Sequence, residues 1–158
     1  MPAVAGTVIA WLMPALVGAV IALPVLAQAQ EQAQPKLPTV TLSNGLHVIR
    51  AEVAITPEQQ AAGLMFRREL GANEGMLFVN EVPGVRCFWM RNTYIPLSIA
   101  FIADDGTIVN IVDMKPLDER SRNCSAAPVR FALEMNQGWF AKRGIQAGTR
   151  LRGQPFGG

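Results

Sequence analysis

The fold this sequence predicts is α+β: predominantly antiparallel β-sheet, curled into a small, partly closed barrel with two short helices. Three observations predict it. Two turn pairs, Asn44-Gly45 and Asp105-Gly106, each separate runs rich in apolar and β-branched residues, the short-range mark of a hairpin. Residues 129–135 alternate, with Val129, Phe131, Leu133 and Met135 on one face and Arg130, Ala132 and Glu134 on the other, which is the period of a strand. Helix signals are confined to two short places, at Thr56 and around Trp139.

The elements follow in order. Residues 39–43 and 46–55 flank Asn44-Gly45 as the first hairpin, with His47 as a half-exposed side chain on its second strand. Thr56-Pro57-Glu58-Gln59 starts a helix, with Thr as N-cap, Pro at the first helical position and Gln at the third to complete a capping box. The helix is expected to run towards Met65 or Phe66. Gly63 inside it costs about 1 kcal/mol relative to Ala, which close packing against another element would justify. Arg67 and Arg68 near its end suit the helix dipole. Residues 71–75 form a loop and residues 76–79 a short buried strand. Pro96 delays the next strand, since proline cannot donate to a ladder. Residues 99–103 and 108–112 then form the second hairpin, and residues 113–127 a long polar loop of the kind that is often functional. After the alternating strand, Trp139 to Arg143 reads as a short helix stopped by Gly144, and residues 149–151 as a last strand.

The division of the chain comes from its N-terminus. Residues 3–29 carry no charged side chain, and Val25-Leu26-Ala27 and Ala27-Gln28-Ala29 offer the small residues that signal peptidase requires. We therefore read residues 1–29 as a signal peptide, 30–38 as a Gln-, Ala- and Pro-rich linker, 39–152 as the domain and 153–158 as a flexible Gly-rich tail. The expected location is periplasmic or secreted. Retention of the apolar segment as a membrane anchor facing the periplasm is the alternative, because about 20 apolar residues span a bilayer. Export bears on Cys87 and Cys124, the only two cysteines, which can form and keep a disulfide outside the cytoplasm. Closing that loop would stabilise by roughly 3–4 kcal/mol in the chain-entropy model.

Composition removes several function classes. Fourteen Lys and Arg against twelve Asp and Glu leave a charge of only +2, without the clustered cations of a nucleic-acid surface. A structural zinc site wants four ligands and His47 is the only histidine, so no metal is expected. No Gly-rich phosphate loop, Gly-x-Ser-x-Gly or His-Glu-x-x-His occurs, and no cofactor is expected.

The stretch with most chemical interest is 86–102, where the apolar Phe88, Trp89 and Met90 are followed by the polar Arg91-Asn92-Thr93 and then by a strand-like run. A polar triplet between two core-forming segments lies at a surface turn or needs buried partners, since an unpaired buried polar group costs roughly 1–3 kcal/mol. The candidate ligand-binding residues are Trp89, Met90, Arg91, Asn92 and Thr93, with Arg67 and Glu134 nearby. Arginine offers a planar fork to a carboxylate or phosphate, and tryptophan a stacking face. The competing structural reading makes Trp89 and Met90 core and ties Arg91 to Glu134 in an ion pair.

The blocks Thr56-Pro57-Glu58-Gln59, residues 63–67 (Gly-Leu-Met-Phe-Arg), residues 75–79 (Gly-Met-Leu-Phe-Val), residues 88–93 (Phe-Trp-Met-Arg-Asn-Thr), Ile95-Pro96-Leu97 and residues 128–134 with Gly138 together resemble the domain of unknown function 192 family. The resemblance spans about residues 40–151 and implies a compact β-rich domain, in many members preceded by an export signal, with no activity attached. This chain has Ser98 where the family often has an acidic residue, and Cys87 and Cys124 fall outside the family's blocks, which would make a disulfide a local staple.

Three functions follow as expectations. The first is a monomeric, non-catalytic periplasmic module that binds a small molecule or an envelope protein. The second is a cell-envelope polysaccharide hydrolase using Glu134 and a second acid such as Asp113, which requires the two carboxyls roughly 5–10 Å apart across a cleft. The third is an envelope assembly or stability factor acting through an exposed apolar patch.

Overall fold

The computed structural model describes residues 32–156, so the expected signal peptide lies outside the described residues. Strand β1 (Thr39–Ser43) is followed by β2 (Val48–Ala54), helix α1 (Pro57–Ala62), β3 (Glu74–Gly84), β4 (Cys87–Phe88), β5 (Leu97–Ile102), β6 (Ile108–Met114), β7 (Asn123–Cys124) and β8 (Val129–Asn136). Six of them form one sheet in the order β1-β2-β3-β8-β5-β6, and β4 and β7 form a separate two-stranded ribbon. Every pairing is antiparallel except β2 with β3, where α1 lies in the crossover that parallel neighbours require.

The prediction of a mainly antiparallel β domain holds, but the sheet is not a closed barrel. Its edge strands β1 and β6 do not pair with each other. Residues 149–151, expected to be a strand, and the following Arg152 make only isolated bridges, from Arg150 to Thr107 and from Arg152 to Ser43. The second helix is a single 3-10 turn, Ala141–Arg143, stopped as expected by Gly144 in the left-handed region. One α-helix is therefore present among the described residues.

Local chemistry accounts for the elements that were read correctly and for those that were not. At α1 the capping box is complete, with the Gln59 N–H donating to Thr56 Oγ1 (3.3 Å) and the Thr56 N–H to Gln59 Oε1 (3.1 Å). The helix stops short of Met65 because Gly63 is its cap, at φ 47° and ψ −132°. A Cβ there would stand 3.5 Å from the Phe78 ring, so glycine serves both the turn and the close packing. The first hairpin turns over four residues, not two: Asn44 Oδ1 accepts from the Leu46 and His47 N–H groups. His47 thus sits in the loop, half-buried, with its ring 6.3 Å edge-on from Trp139.

In the segments expected to be a linker and a flexible tail, described residues contact the domain. Gln34 donates to Gln59 O and Gly63 O, the Leu37 N–H to Glu52 Oε2, and the Val53 N–H to Pro38 O. At the other end Phe156 is 2% exposed and packs edge-on against Phe131 at 5.1 Å.

The sheet has a core on each face. Ile49, Leu77, Leu133 and Met135 lie on one side with Trp139, Phe140 and Phe156. Met76, Phe78, Ile99, Phe101 and Ala132 lie on the other with Leu64, Met90 and Ile95. The face of β8 that carries Ala132 and Glu134 is therefore covered and not solvated, and its carboxylate is taken inside.

Candidate functional site

The polar triplet turns the chain over the second face. The Thr93 N–H donates to Met90 O (3.1 Å), Asn92 adopts φ 51°, and Asn92 O accepts from the Phe66 N–H (2.8 Å). Thr93 Oγ1 donates to Arg91 O (3.0 Å). Just before it, β4 is tied to β7 by the Cys87–Cys124 disulfide, whose residues stand directly opposite in register. The Asn123 side chain adds a bond to Phe88 O, and the Arg86 N–H one to Ser125 Oγ. This ribbon forms one wall of a cleft of about 260 Å³, and α1 with residues 63–65 forms the other.

The cleft gathers part of the predicted set. Trp89, 53% exposed, stands at its mouth; Thr93 and Glu134 line its interior. Met90 is fully buried in the core, as the structural reading had it. Asn92 is half-buried in the turn, and Arg91 is exposed with its guanidinium 5.8 Å from the Trp89 ring centre. Arg91 does not pair with Glu134. Neither Arg91 nor Asn92 lines the cleft.

Arg67 is elsewhere. It grips the buried Glu52 through both terminal nitrogens, Nη1 to Oε1 at 2.5 Å and Nη2 to Oε2 at 2.7 Å. Burial alone would raise the Glu52 carboxyl. The bonds from Arg67 and the Leu37 N–H, with the attraction of Arg67 and Lys36, outweigh it and hold the carboxyl below its ordinary value. The fork that made Arg67 a ligand-binding candidate is thus engaged inside the protein.

Glu134 has the opposite environment. It is 5% exposed, flanked in register by Met76 on β3 and Ile99 on β5, and its carboxyl makes no hydrogen bond or ion pair among the described residues. Burial pushes the carboxyl up to about 8, so at neutral pH it holds its proton. A protonated carboxyl facing a cleft can donate one hydrogen bond, accept others, or give up its proton to an arriving cation.

The pairing with Asp113 is overturned. Asp113 stands opposite Ser98, which stands opposite Met135, whereas Glu134 stands opposite Ile99. Successive side chains on a strand point to opposite faces, so the two acids lie on opposite sides of the sheet and share no cleft. Asp113 instead accepts from Ser98 Oγ, which in turn accepts from the Gly138 N–H (2.8 Å).

Sequence reasoning missed Arg86, Phe88, Phe78, Gln60 and Asn80, all of which line the cleft. Arg86 donates through Nη2 to Val82 O (2.6 Å), while its buried Nε has no acceptor. Its position beside Cys87 was the available signal, since a disulfide fixes its neighbours. Among the described residues no group of three or more His, Cys, Asp or Glu is placed to hold a metal.

The family model described as Uncharacterized ACR, domain of unknown function 192, matches residues 39–153. No curated protein matches the chain. Among solved structures, one from Sinorhizobium meliloti, described as a candidate transcription regulator, shares 35% identity at a TM-score of 0.71, covering 76% of this chain and 97% of its own. Another, a protein of unknown function from Novosphingobium aromaticivorans, shares 41% identity at a TM-score of 0.67, covering 77% and 94%.

Proposed function

The chain belongs to the domain of unknown function 192 family, and we propose that it is a non-catalytic ligand-binding module of the periplasm whose site is the cleft in front of Glu134. The observation that carries this reading is a carboxyl that is nearly fully buried, has no partner and faces a cleft. Such a group costs stability for as long as it stands alone, and a ligand that pairs with it removes the cost. The cleft brings the polar Gln60, Asn80, Arg86, Thr93 and Glu134 together with the aromatic Phe78, Phe88 and Trp89, so that it offers both hydrogen-bonding groups and stacking faces. Location outside the cytoplasm rests on the uncharged segment at residues 3–29 and on the Cys87–Cys124 disulfide.

Two other readings are weaker. The transcription role attached to the Sinorhizobium protein asks for a basic nucleic-acid surface, which a net charge of +2 does not recommend. An envelope assembly factor draws support from Val82 and Val85, 65% and 61% exposed, close in sequence to the exposed Trp89.

Amide and indole NMR spectra of the purified protein, recorded against a library of small polar molecules, test the proposal. Hits should move the amides of Gly63, Leu64 and Met65 and the Trp89 indole. Hits that move only the region of Ser98 and Gly138, or no hits, would overturn it.

A further inference from the structure

The cleft holds two ionisable side chains, one acid and one base, that do not pair with each other. Glu134 has no partner, and burial is the only cause of its raised proton affinity, with no cation contributing. Arg86 satisfies Val82 O through one terminal nitrogen and leaves its Nε without an acceptor. Among the described residues these are the only acid and base lining the cleft. Gln60, Asn80 and Thr93 are neutral, and Cys87 is bonded to Cys124. Much of the remaining wall is apolar, from Leu64, Phe78 and Phe88.

We propose that the cleft takes a small zwitterion of the apolar amino-acid class, with its ammonium on Glu134, its carboxylate on Arg86 and its side chain against Phe78 and Phe88. The inference rests on the ligand-binding reading and deepens it. A plain cation would satisfy Glu134 but leave Arg86 a like charge in the same small space. A plain anion would satisfy Arg86 and leave Glu134 alone. A dipolar ligand answers both, and Arg86 offers the ligand's carboxylate the charged Nη1 group, since Nη2 is engaged by Val82 O and Nε is buried. A volume of about 260 Å³ lies just below the range of ~300–1,000 Å³ typical of drug-sized ligands, which favours a compact guest.

The proton balance fixes the pH response. Glu134 holds a proton at neutral pH, so binding an ammonium group releases that proton to solution while the ligand keeps its own. Affinity for the zwitterion therefore rises with pH towards about 8. The neighbours of Glu134 in the sheet, Met76 and Ile99, do not titrate, and Arg86 stays charged throughout.

Calorimetric titration of the whole protein with L-leucine, with 3-methylbutylamine and with 4-methylpentanoate tests this directly. L-leucine should bind at least about tenfold more tightly than either singly charged analogue, the scale of one charge-assisted hydrogen bond. Arg86→Gln should erase the preference over the amine, and Glu134→Gln the preference over the acid. Arg86→Lys, which keeps the charge, should retain part of it and guards against a variant that fails to fold. An amine or an acid binding as tightly as L-leucine would overturn the zwitterion while leaving a binding module. So would silence from all three probes when the NMR library gives hits in the cleft. Silence in both experiments would remove the binding reading as well.

Discussion

Two buried glutamates stand on one cross-strand row of this sheet, and they have been treated in opposite ways. Glu52 on β2 is opposite Met76 on β3, and Met76 is opposite Glu134 on β8, so both carboxyls leave the same face two strand spacings, about 10 Å, apart. Glu52 is closed off by a bidentate arginine and a backbone N–H. Glu134 faces a cleft, and its carboxyl has no hydrogen-bond or ion-pair partner among the described residues. The first arrangement holds residues 34–38 and the loop after α1 against the sheet. The second costs stability and contributes nothing visible to the fold, which is the pattern expected of a group kept for a ligand.

The largest effect comes from making Glu52 resemble Glu134. Arg67→Met keeps the length of the side chain but removes the fork, leaving a buried carboxylate without its cation. Removing one partner of a buried pair costs about 3–5 kcal/mol. Urea unfolding should show that loss at neutral pH, with the Lys36 and Leu37 segment released first. A loss below about 1 kcal/mol would mean that the pair is as dispensable as a surface one.

Titration separates the two carboxyls by sign. The folded state binds the Glu134 proton more tightly than the unfolded chain, with about 8 against an ordinary value of 4.5. Its contribution is therefore full below the unfolded value and is lost as pH rises towards 8. Between pH 5 and pH 8 that amounts to a few kcal/mol. Glu52 is held below its ordinary value, so its contribution is present at neutral pH and is lost on acidification. Denaturant unfolding across pH 5 to 8, compared with Glu134→Gln, measures the first term. The variant should be the flatter of the two by roughly that amount, and parallel curves would mean that Glu134 is already ionised inside the cleft.

Much of this architecture was legible in the sequence, and the missing parts have physical reasons. The capping box at Thr56, the turn at Asp105-Gly106 and the strand start after Pro96 depend on neighbours within a few residues, and all appear. Alternation placed Ala132 and Glu134 on one face of β8, which is correct, yet alternation cannot tell whether that face meets water. Leu64, Met90 and Ile95 cover it from elsewhere in the chain. The pairing of Arg67 with Glu52 depends on the parallel β2–β3 register, a long-range choice that no local motif announces. For the same reason the local reading singled out Trp89 and Thr93, which line the cleft, whereas Arg86 and Phe78 join them only where its two walls come together.

The smallest effect concerns the wall that separates the two regions. Helix α1 buries no residue of its own, so its position rests on hydrogen bonds: the Thr56 cap, and Gln60 Nε2 donating to Val79 O at 2.8 Å. Thr56→Ala removes one of these and should cost about 1 kcal/mol, the usual value of a lost N-cap. The loss should be local. Hydrogen exchange at the Gln60 and Gly63 amides should accelerate, because both bonds belong to the turn that Thr56 starts, and the cleft wall should loosen in front of Glu134. The Arg67–Glu52 pair is reached only after the chain has been pinned again by the Phe66 N–H on Asn92 O, so amides near it should keep their protection. If protection around Arg67 falls together with that of α1, the wall and the ion pair open as one unit. The contrast between a closed glutamate and an open one would then describe a single region and not two.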